Sequence, residues 1–193
     1  MEAQLKLAPI LRIQELENIN ISSKNPNKAG VMAMFYPDDN DITHLVLILR
    51  KTYRGVHSNQ VGFPGGRVED IDKNLKHTAL RETEEEIGIP ASDIKVLKRL
   101  TRLYIPPSNF WVYPYVGIMA KSPNFILQES EVEQVLEVSL KEFLDEDNLI
   151  TQKLTTSYAE EIEVPAFFLS GHVVWGATAM MLSELKEMLK IIL

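Results

Sequence analysis

Between Thr78 and Gly88 the chain reads Thr-Ala-Leu-Arg-Glu-Thr-Glu-Glu-Glu-Ile-Gly, and this run restricts the fold more than any other segment. Gly88 stands where a helix C-cap belongs, and Pro90 blocks continuation, so the pattern predicts a helix over 72–87. At roughly 100° per residue, with Arg81 at zero, Glu85 falls near about 40°, Glu82 near about 100° and Glu86 near about 140°. Three carboxylates share one face. Leu80, Thr83 and Ile87 fall at about 260°, 200° and 240° and form the expected core face, while Glu84, at about 300°, is expected in solvent.

Such a face is unfavourable by itself, because like charges four residues apart cost a helix a few tenths of a kcal/mol. A hard divalent cation reverses that sign, since Mg²⁺ and Mn²⁺ prefer oxygen ligands and keep positions open for water or phosphate. A merely solvated acidic face is the plain alternative. The upstream loop bears on the choice. Phe63-Pro-Gly-Gly66 immediately precedes the helical segment. Its glycines allow close backbone approach, and their carbonyls can ligate a metal; a simple tight turn is the other reading. Arg81 either pairs with a carboxylate and holds it in place or is a plain surface charge.

Around this segment lie strand candidates at Val31–Tyr36, Leu45–Leu49, Ile94–Ile105, Trp111–Ala120 and Val135–Val138. The first two suggest a hairpin across Pro37-Asp-Asp-Asn40. Residues 4–18 read as helix broken near Pro9, Arg50–Arg67 as a long loop, Leu140–Leu144 as a short helix and Gly176–Leu189 as a closing one. Leu154–Glu163 and Ala166–Leu169 suggest a second hairpin. The order implies an α/β class with a mixed sheet. Its 193 residues fit a single domain, with 1–30 as an N-terminal extension.

The net charge of −7 argues against a broad basic footprint for nucleic acid. It is compatible with anionic small molecules held through metal ions. The chain contains no cysteine, which excludes disulfides and thiolate metal sites and fits a cytoplasmic protein. The apolar run Leu45–Leu49 is too short to span a bilayer, and the first residues lack the pattern of a signal peptide, so no membrane association is expected.

Gly66-Arg-Val-Glu-Asp-Ile-Asp72 followed by Arg81-Glu-Thr-Glu-Glu-Glu-Ile-Gly-Ile89 resembles the Nudix box, G-x5-E-x7-R-E-U-x-E-E-x-G-U. Arg81, Glu82, Glu85, Glu86, Gly88 and Ile89 fall in register. Asp72 stands where the first Glu is expected, one extra residue separates it from Arg81, and Thr83 replaces an aliphatic residue. The resemblance implies a Nudix-type α/β/α sandwich with a mixed, mainly antiparallel sheet and a catalytic loop-helix-loop over 63–89.

Leu47-Ile-Leu-Arg50, His57-Ser-Asn-Gln-Val61, Phe63-Pro-Gly-Gly66 and Val174-Trp-Gly-Ala-Thr-Ala179 further resemble the coenzyme A pyrophosphatase branch of that family. Two positions depart from it: Gly55, with Arg54 adjacent, stands at a second Arg, and Asn59 stands at a loop Gly.

The resemblance implies hydrolysis of the diphosphate bond of coenzyme A or a derivative, to 3′,5′-adenosine diphosphate and 4′-phosphopantetheine, with Mg²⁺ or Mn²⁺. ADP-ribose, a dinucleotide or an oxidised nucleotide is the alternative substrate, and a non-catalytic binding module the alternative of another class. Glu82 and Glu86 are the implied metal ligands, with Glu85 a third ligand or the base and the carbonyl of Gly65 or Gly66 completing the shell. Arg81 orients a glutamate. Arg50, Arg54, His57, Gln60, Phe63 and Gly65 are the implied substrate contacts. Glu69 and Asp72 are candidates for a further metal. Glu131 and Glu133, expected in a loop, are either a base or solvated charge. Trp175 reads as core rather than a base-stacking platform. Members of the family are often homodimers, while the sequence itself leaves the oligomeric state open.

Overall fold

The computed structural model describes residues 2–51, 60–154 and 162–193. Two helices open it, α1 (Glu2–Leu5) and α2 (Ile10–Asn18), parted at Pro9, which has no N–H to continue a helix. Then come β1 (Asn27–Pro37), β2 (Thr43–Arg50), β3 (Val61–Gly62), β4 (Gly65–Arg67) and α3 (Leu75–Ile87). β5 (Lys95–Arg99), β6 (Leu103–Ile105), β7 (Phe110–Ile118), β8 (Val132–Ser139) and α4 (Leu140–Leu144) follow. β9 (Leu149–Leu154), β10 (Ile162–Leu169), β11 (His172–Trp175) and α5 (Gly176–Ile192) complete the described elements.

β1 is apolar on both faces because both are covered. Ala29, Val31, Ala33 and Phe35 join the core that α5 closes with Ala179, Met180 and Leu182. Met32, Met34 and Tyr36 join the core on the other side, which α3 closes with Ala79 and Ile87. The main sheet runs β3-β2-β1-β7-β5, with β4 beside β1, β6 beside β7 and β8 beside β2. β1 and β7 are parallel, from Asn27 opposite Phe110 to Phe35 opposite Ile118. The other described pairings are antiparallel. A mixed sheet between helices is therefore present, as expected. β9, β10 and β11 make a small second sheet.

Some expected boundaries move for identifiable reasons. The stretch expected as one strand over 94–105 is two. Leu100 N–H turns to Pro114 O at 2.9 Å, while Thr101 N–H turns out of the sheet to the Glu184 carboxylate at 3.0 Å. The expected loop 50–67 contains β3 and β4, which pair with β2 and β1. β1 begins at Asn27, so the end of the expected extension belongs to the sheet. The rest is docked: Gln4 Nε2 donates to Thr101 O at 2.8 Å and to Glu184 at 2.7 Å, and Ser183 Oγ donates to Ala3 O at 2.6 Å. In the expected hairpin near the end, 155–161 lies outside the described residues. β10 and β11 are joined by Ser170 and Gly171, both at positive φ, as a two-residue hairpin turn requires. Among the described residues, no helix is long and apolar enough to cross a membrane.

α3 crosses β1 at Gly30. A Cβ there would overlap Leu75 O and come within 2.9 Å of Ala79 N, and both are backbone atoms that cannot yield alone. The missing side chain sets how close the helix lies to the sheet. Gly30→Ala is expected to cost about 2–3 kcal/mol by forcing helix and strand apart. Urea denaturation measures it; a variant within about 0.5 kcal/mol of the parent would contradict this packing.

Candidate functional site

α3 is capped by its own sequence. The Asn74 side chain accepts from His77 N–H at 3.0 Å, and Gly88, at positive φ, donates its N–H to Glu84 O at 2.9 Å. Thr78, Ala79, Thr83, Glu86 and Ile87 form the buried side. That side lies nearer the carboxylates than the helical wheel suggested, and Leu80, expected in the core face, is only half-buried. Ala79 over Gly30 lets the helix lie close to the sheet, and Thr83 tolerates burial because its hydroxyl donates to Ala79 O at 2.6 Å.

The three expected carboxylates divide accordingly. Glu86 is 2% exposed. Its Oε2 accepts the Gly65 N–H at 2.7 Å, and Arg50 Nη2 lies 3.2 Å from its Oε1. Burial pushes the Glu86 carboxyl up to about 7 against the opposing pull of Arg50 and the Gly65 N–H; Glu82 and Glu131 push it further up. Glu82 lies beside it and is also raised, chiefly by burial, against the pull of Arg81. Glu85 sits at the rim, half-exposed, with Arg81 Nη1 at 2.7 Å. Glu84 faces solvent, as expected.

Arg81 ties the helix to the loop. Its Nε and Nη2 donate to the two oxygens of Asp72 at 3.1 and 3.0 Å, and Nη2 also reaches Arg67 O at 3.1 Å and Glu82 Oε1 at 2.9 Å. Asp72 is fully buried at its carboxylate. It also accepts Glu69 N–H at 2.9 Å and meets His77 Nδ1 at 2.9 Å. The Arg81 guanidinium holds its carboxyl well below the usual range. Asp72 therefore anchors Arg81 and has no oxygen left over for the further metal considered from sequence. The Glu69 side chain is exposed.

The loop places the remaining residues. A Cβ on Gly66 would overlap the Glu82 carboxylate, so the bare backbone makes room for that group. Gly65 offers its N–H to Glu86 and its carbonyl to Arg50 Nη2 at 2.6 Å. Phe63 is 2% exposed and packs in the core with Val61, so it anchors the loop instead of contacting substrate as expected. Arg50, also expected at the substrate, is engaged with Glu86 and Gly65. Gln60 is half-buried, and its carbonyl accepts the Arg50 N–H at 3.1 Å. Arg54 and His57 lie outside the described residues. Trp175 is half-buried at the end of β11, opposite Ala166.

Sequence reading marked Glu131 but did not show that the segment over 126–132 docks on α3. Ile126 and Gln128 donate N–H groups to Ile87 O and Glu86 O, each at 3.0 Å, which brings Glu131 to the carboxylate pair. Glu131 is in a turn as expected, but Glu133 lies on β8, where its carboxylate approaches Lys51 Nζ at 3.9 Å.

Among the described residues no three acidic or histidine side chains already converge as a metal cage. Two neighbouring carboxylates beside backbone carbonyls are nonetheless an all-oxygen set with excess negative charge. That set fits a hard cation whose other positions go to water or phosphate.

Two outcomes follow. Asp72→Asn is expected to lower stability by about 3 kcal/mol, because it leaves a largely buried guanidinium underpaired. With its pKa depressed, Asp72 contributes stability that is present above pH ~4 and lost only as pH falls below that. Urea midpoints at pH 7 and pH 3 should therefore differ less in the variant than in the parent. Gly66→Ala should stay folded, because the group it displaces is the flexible end of Glu82, yet lose most of its metal affinity, as read by titration calorimetry.

A family model described as NUDIX domain matches residues 26–158. The chain is 26% identical over 175 residues to the peroxisomal coenzyme A diphosphatase ndx-8 of Caenorhabditis elegans, spanning 88% of this chain and 72% of that protein. It is 34% identical over 154 residues to NudL of Yersinia enterocolitica, an uncharacterized Nudix hydrolase, spanning 76% of this chain and 74% of the relative. It is 32% identical to the chloroplastic Nudix hydrolase 22 of Arabidopsis thaliana, but spans only 53% of that protein's length. In fold it matches a Nudix hydrolase from M. smegmatis, RenU, with a TM-score of 0.60 at 14% identity over 87% of this chain and 88% of the other. Capped acidic helix, glycine loop and mixed sheet thus coincide with a family match over most of the chain: the protein belongs to the Nudix hydrolases, pyrophosphohydrolases that act on small nucleotide substrates with divalent metal ions.

Proposed function

We propose that the protein cleaves the diphosphate bond of coenzyme A or a close derivative, releasing 3′,5′-adenosine diphosphate and 4′-phosphopantetheine or its acyl form. The observation that carries this reading is the closure of the Phe63–Gly66 loop onto Glu82 and Glu86, with Arg50 bridging Gly65 and Glu86. Loop and arginine are the segments that resemble the coenzyme A branch. The similarity to a coenzyme A diphosphatase over 88% of the chain supports it further. The other resembling segment, Val174–Ala179, lies beside the same region, since β11 packs near β3 and Thr178 stands next to Gly62. Another nucleoside diphosphate derivative, such as ADP-ribose, shares all the helix chemistry and is the second reading.

In this assignment Glu82 and Glu86 hold Mg²⁺ or Mn²⁺, with the carbonyl of Gly65 or Gly66 as a further oxygen donor. The cation, when bound, neutralises charge that develops on the diphosphate as its bond breaks. The chain supplies the positioning. Asp72 fixes Arg81, Arg81 fixes Glu82 and restrains Glu85, and the Gly65 N–H fixes Glu86. Glu85, half-exposed and paired with Arg81, is assigned as the third ligand or as the base that takes a proton from attacking water.

Glu86→Gln should lose most turnover with Mg²⁺ while its stability stays within about 1 kcal/mol of the parent, because burial already disfavours the charged form. Near-parental turnover would contradict the ligand assignment. A turnover panel with Mg²⁺ or Mn²⁺ on coenzyme A, acetyl-coenzyme A, ADP-ribose, NADH and diadenosine polyphosphates, with product identification, tests the substrate. Preferential release of 3′,5′-adenosine diphosphate is expected; preference for ADP-ribose would move the assignment to the second reading.

A further inference from the structure

We propose that Arg50 is a latch on the metal site: without metal its guanidinium holds Glu86 and the Gly65 carbonyl, and a divalent cation displaces it toward the diphosphate of the substrate. The inference rests on Glu86 being a metal ligand.

One nitrogen of Arg50, Nη2, lies 2.6 Å from Gly65 O and 3.2 Å from Glu86 Oε1. A backbone carbonyl and a carboxylate are the two kinds of oxygen that hard cations take. The guanidinium thus sits between two donors that a cation would share. Glu86 has one oxygen fixed by the Gly65 N–H at 2.7 Å, so Oε1 is the oxygen whose partner can change without moving the carboxylate. At 2% exposure that carboxylate is poorly hydrated, and it needs a positive partner in either state. Arg50 and a divalent ion cannot both crowd Oε1, because each repels the other at contact distance.

Arg50 can also leave. Its side chain is 25% exposed, and it stands at the end of β2, where the pairing with β8 slips between Leu49 and Arg50. Its backbone stays tied to Gln60 O while the side chain turns. The neighbouring cation, Lys51, is engaged with Glu129 O at 2.6 Å. A released guanidinium offers a planar fork suited to two phosphate oxygens, which lysine does not. The latch reconciles the engagement of Arg50 with Glu86 and its expected contact with substrate: the two belong to successive states, with metal entering first.

The test compares the parent with Arg50→Gln, Arg50→Lys and Glu86→Gln. Mn²⁺ binding is followed by electron paramagnetic resonance without substrate, and KM for coenzyme A is measured at saturating Mn²⁺. Removing a competitor should make Arg50→Gln bind Mn²⁺ about tenfold more tightly and raise its melting temperature more per unit of Mn²⁺ added. Its KM should rise about tenfold for want of the diphosphate contact. Mn²⁺ affinity at or below that of the parent, or an unchanged KM, overturns the latch; the first is what a residue that merely positions Glu86 would give. Should Arg50→Gln not fold, Arg50→Lys decides by the same criteria, since an ammonium bridges the two oxygens less well. Parental Mn²⁺ affinity in Glu86→Gln would instead overturn the ligand assignment on which the latch rests.

Discussion

The hydrogen bond from Gly65 N–H to the buried carboxylate of Glu86 is the contact on which the rest of the site depends. It joins a loop on one side of β1 to a helix packed on its face, and it holds an ionisable group where water scarcely reaches. Such a group is costly unless charge of the opposite sign is close. The local structure answers that demand in layers. The peptide dipole of Gly65 is nearest, the guanidinium of Arg50 next, and the site as a whole remains short of positive charge because Glu82 and Glu131 press on the same volume. A surplus of this kind does not stabilise the fold; its chemistry suits a hard cation.

A second set of interactions keeps the surplus from dispersing the carboxylates. Asp72 and Arg81 form a paired, largely buried link whose geometry is set by two parallel hydrogen bonds. Arg81 then reaches Glu82 and Glu85 from one side. The helix therefore carries its acidic side chains already oriented, and their mutual repulsion is absorbed by a rigid donor instead of by rotation into solvent.

Much of this was legible in the sequence and some was not. Helix α3, its glycine cap and the shared face of Glu82, Glu85 and Glu86 followed from periodicity and spacing alone. The layered fold followed from the order of elements and from the resemblance. The degree of burial of Glu86 did not, because it depends on Gly30, forty-five residues before the helix, letting the helix sit low on the sheet. The role of Asp72 was hidden by its place in a polar loop, where an aspartate usually meets water. Arg50 was marked as important, but its present partner could not be read, since the contact requires β2 and the loop to be folded together. Phe63 was expected at the substrate from the resemblance, whereas its ring packs in the core beneath the loop.

The parallel pairing of β1 with β7 brings together residues more than eighty positions apart, as with Asn27 and Phe110. Arg50, Gly65, Asp72, Arg81, Glu82 and Glu86 all lie in the span between, and Glu131 reaches the carboxylates from beyond it. Closing so long a loop is slow compared with forming a helix or hairpin, so the sheet that receives α3 is the late-forming part. Until it closes, the glutamates of α3 have no loop amide, no core and no arginine from β2 to meet. The acidic helix by itself is therefore not a site, and competence belongs to the closed arrangement of the central strands.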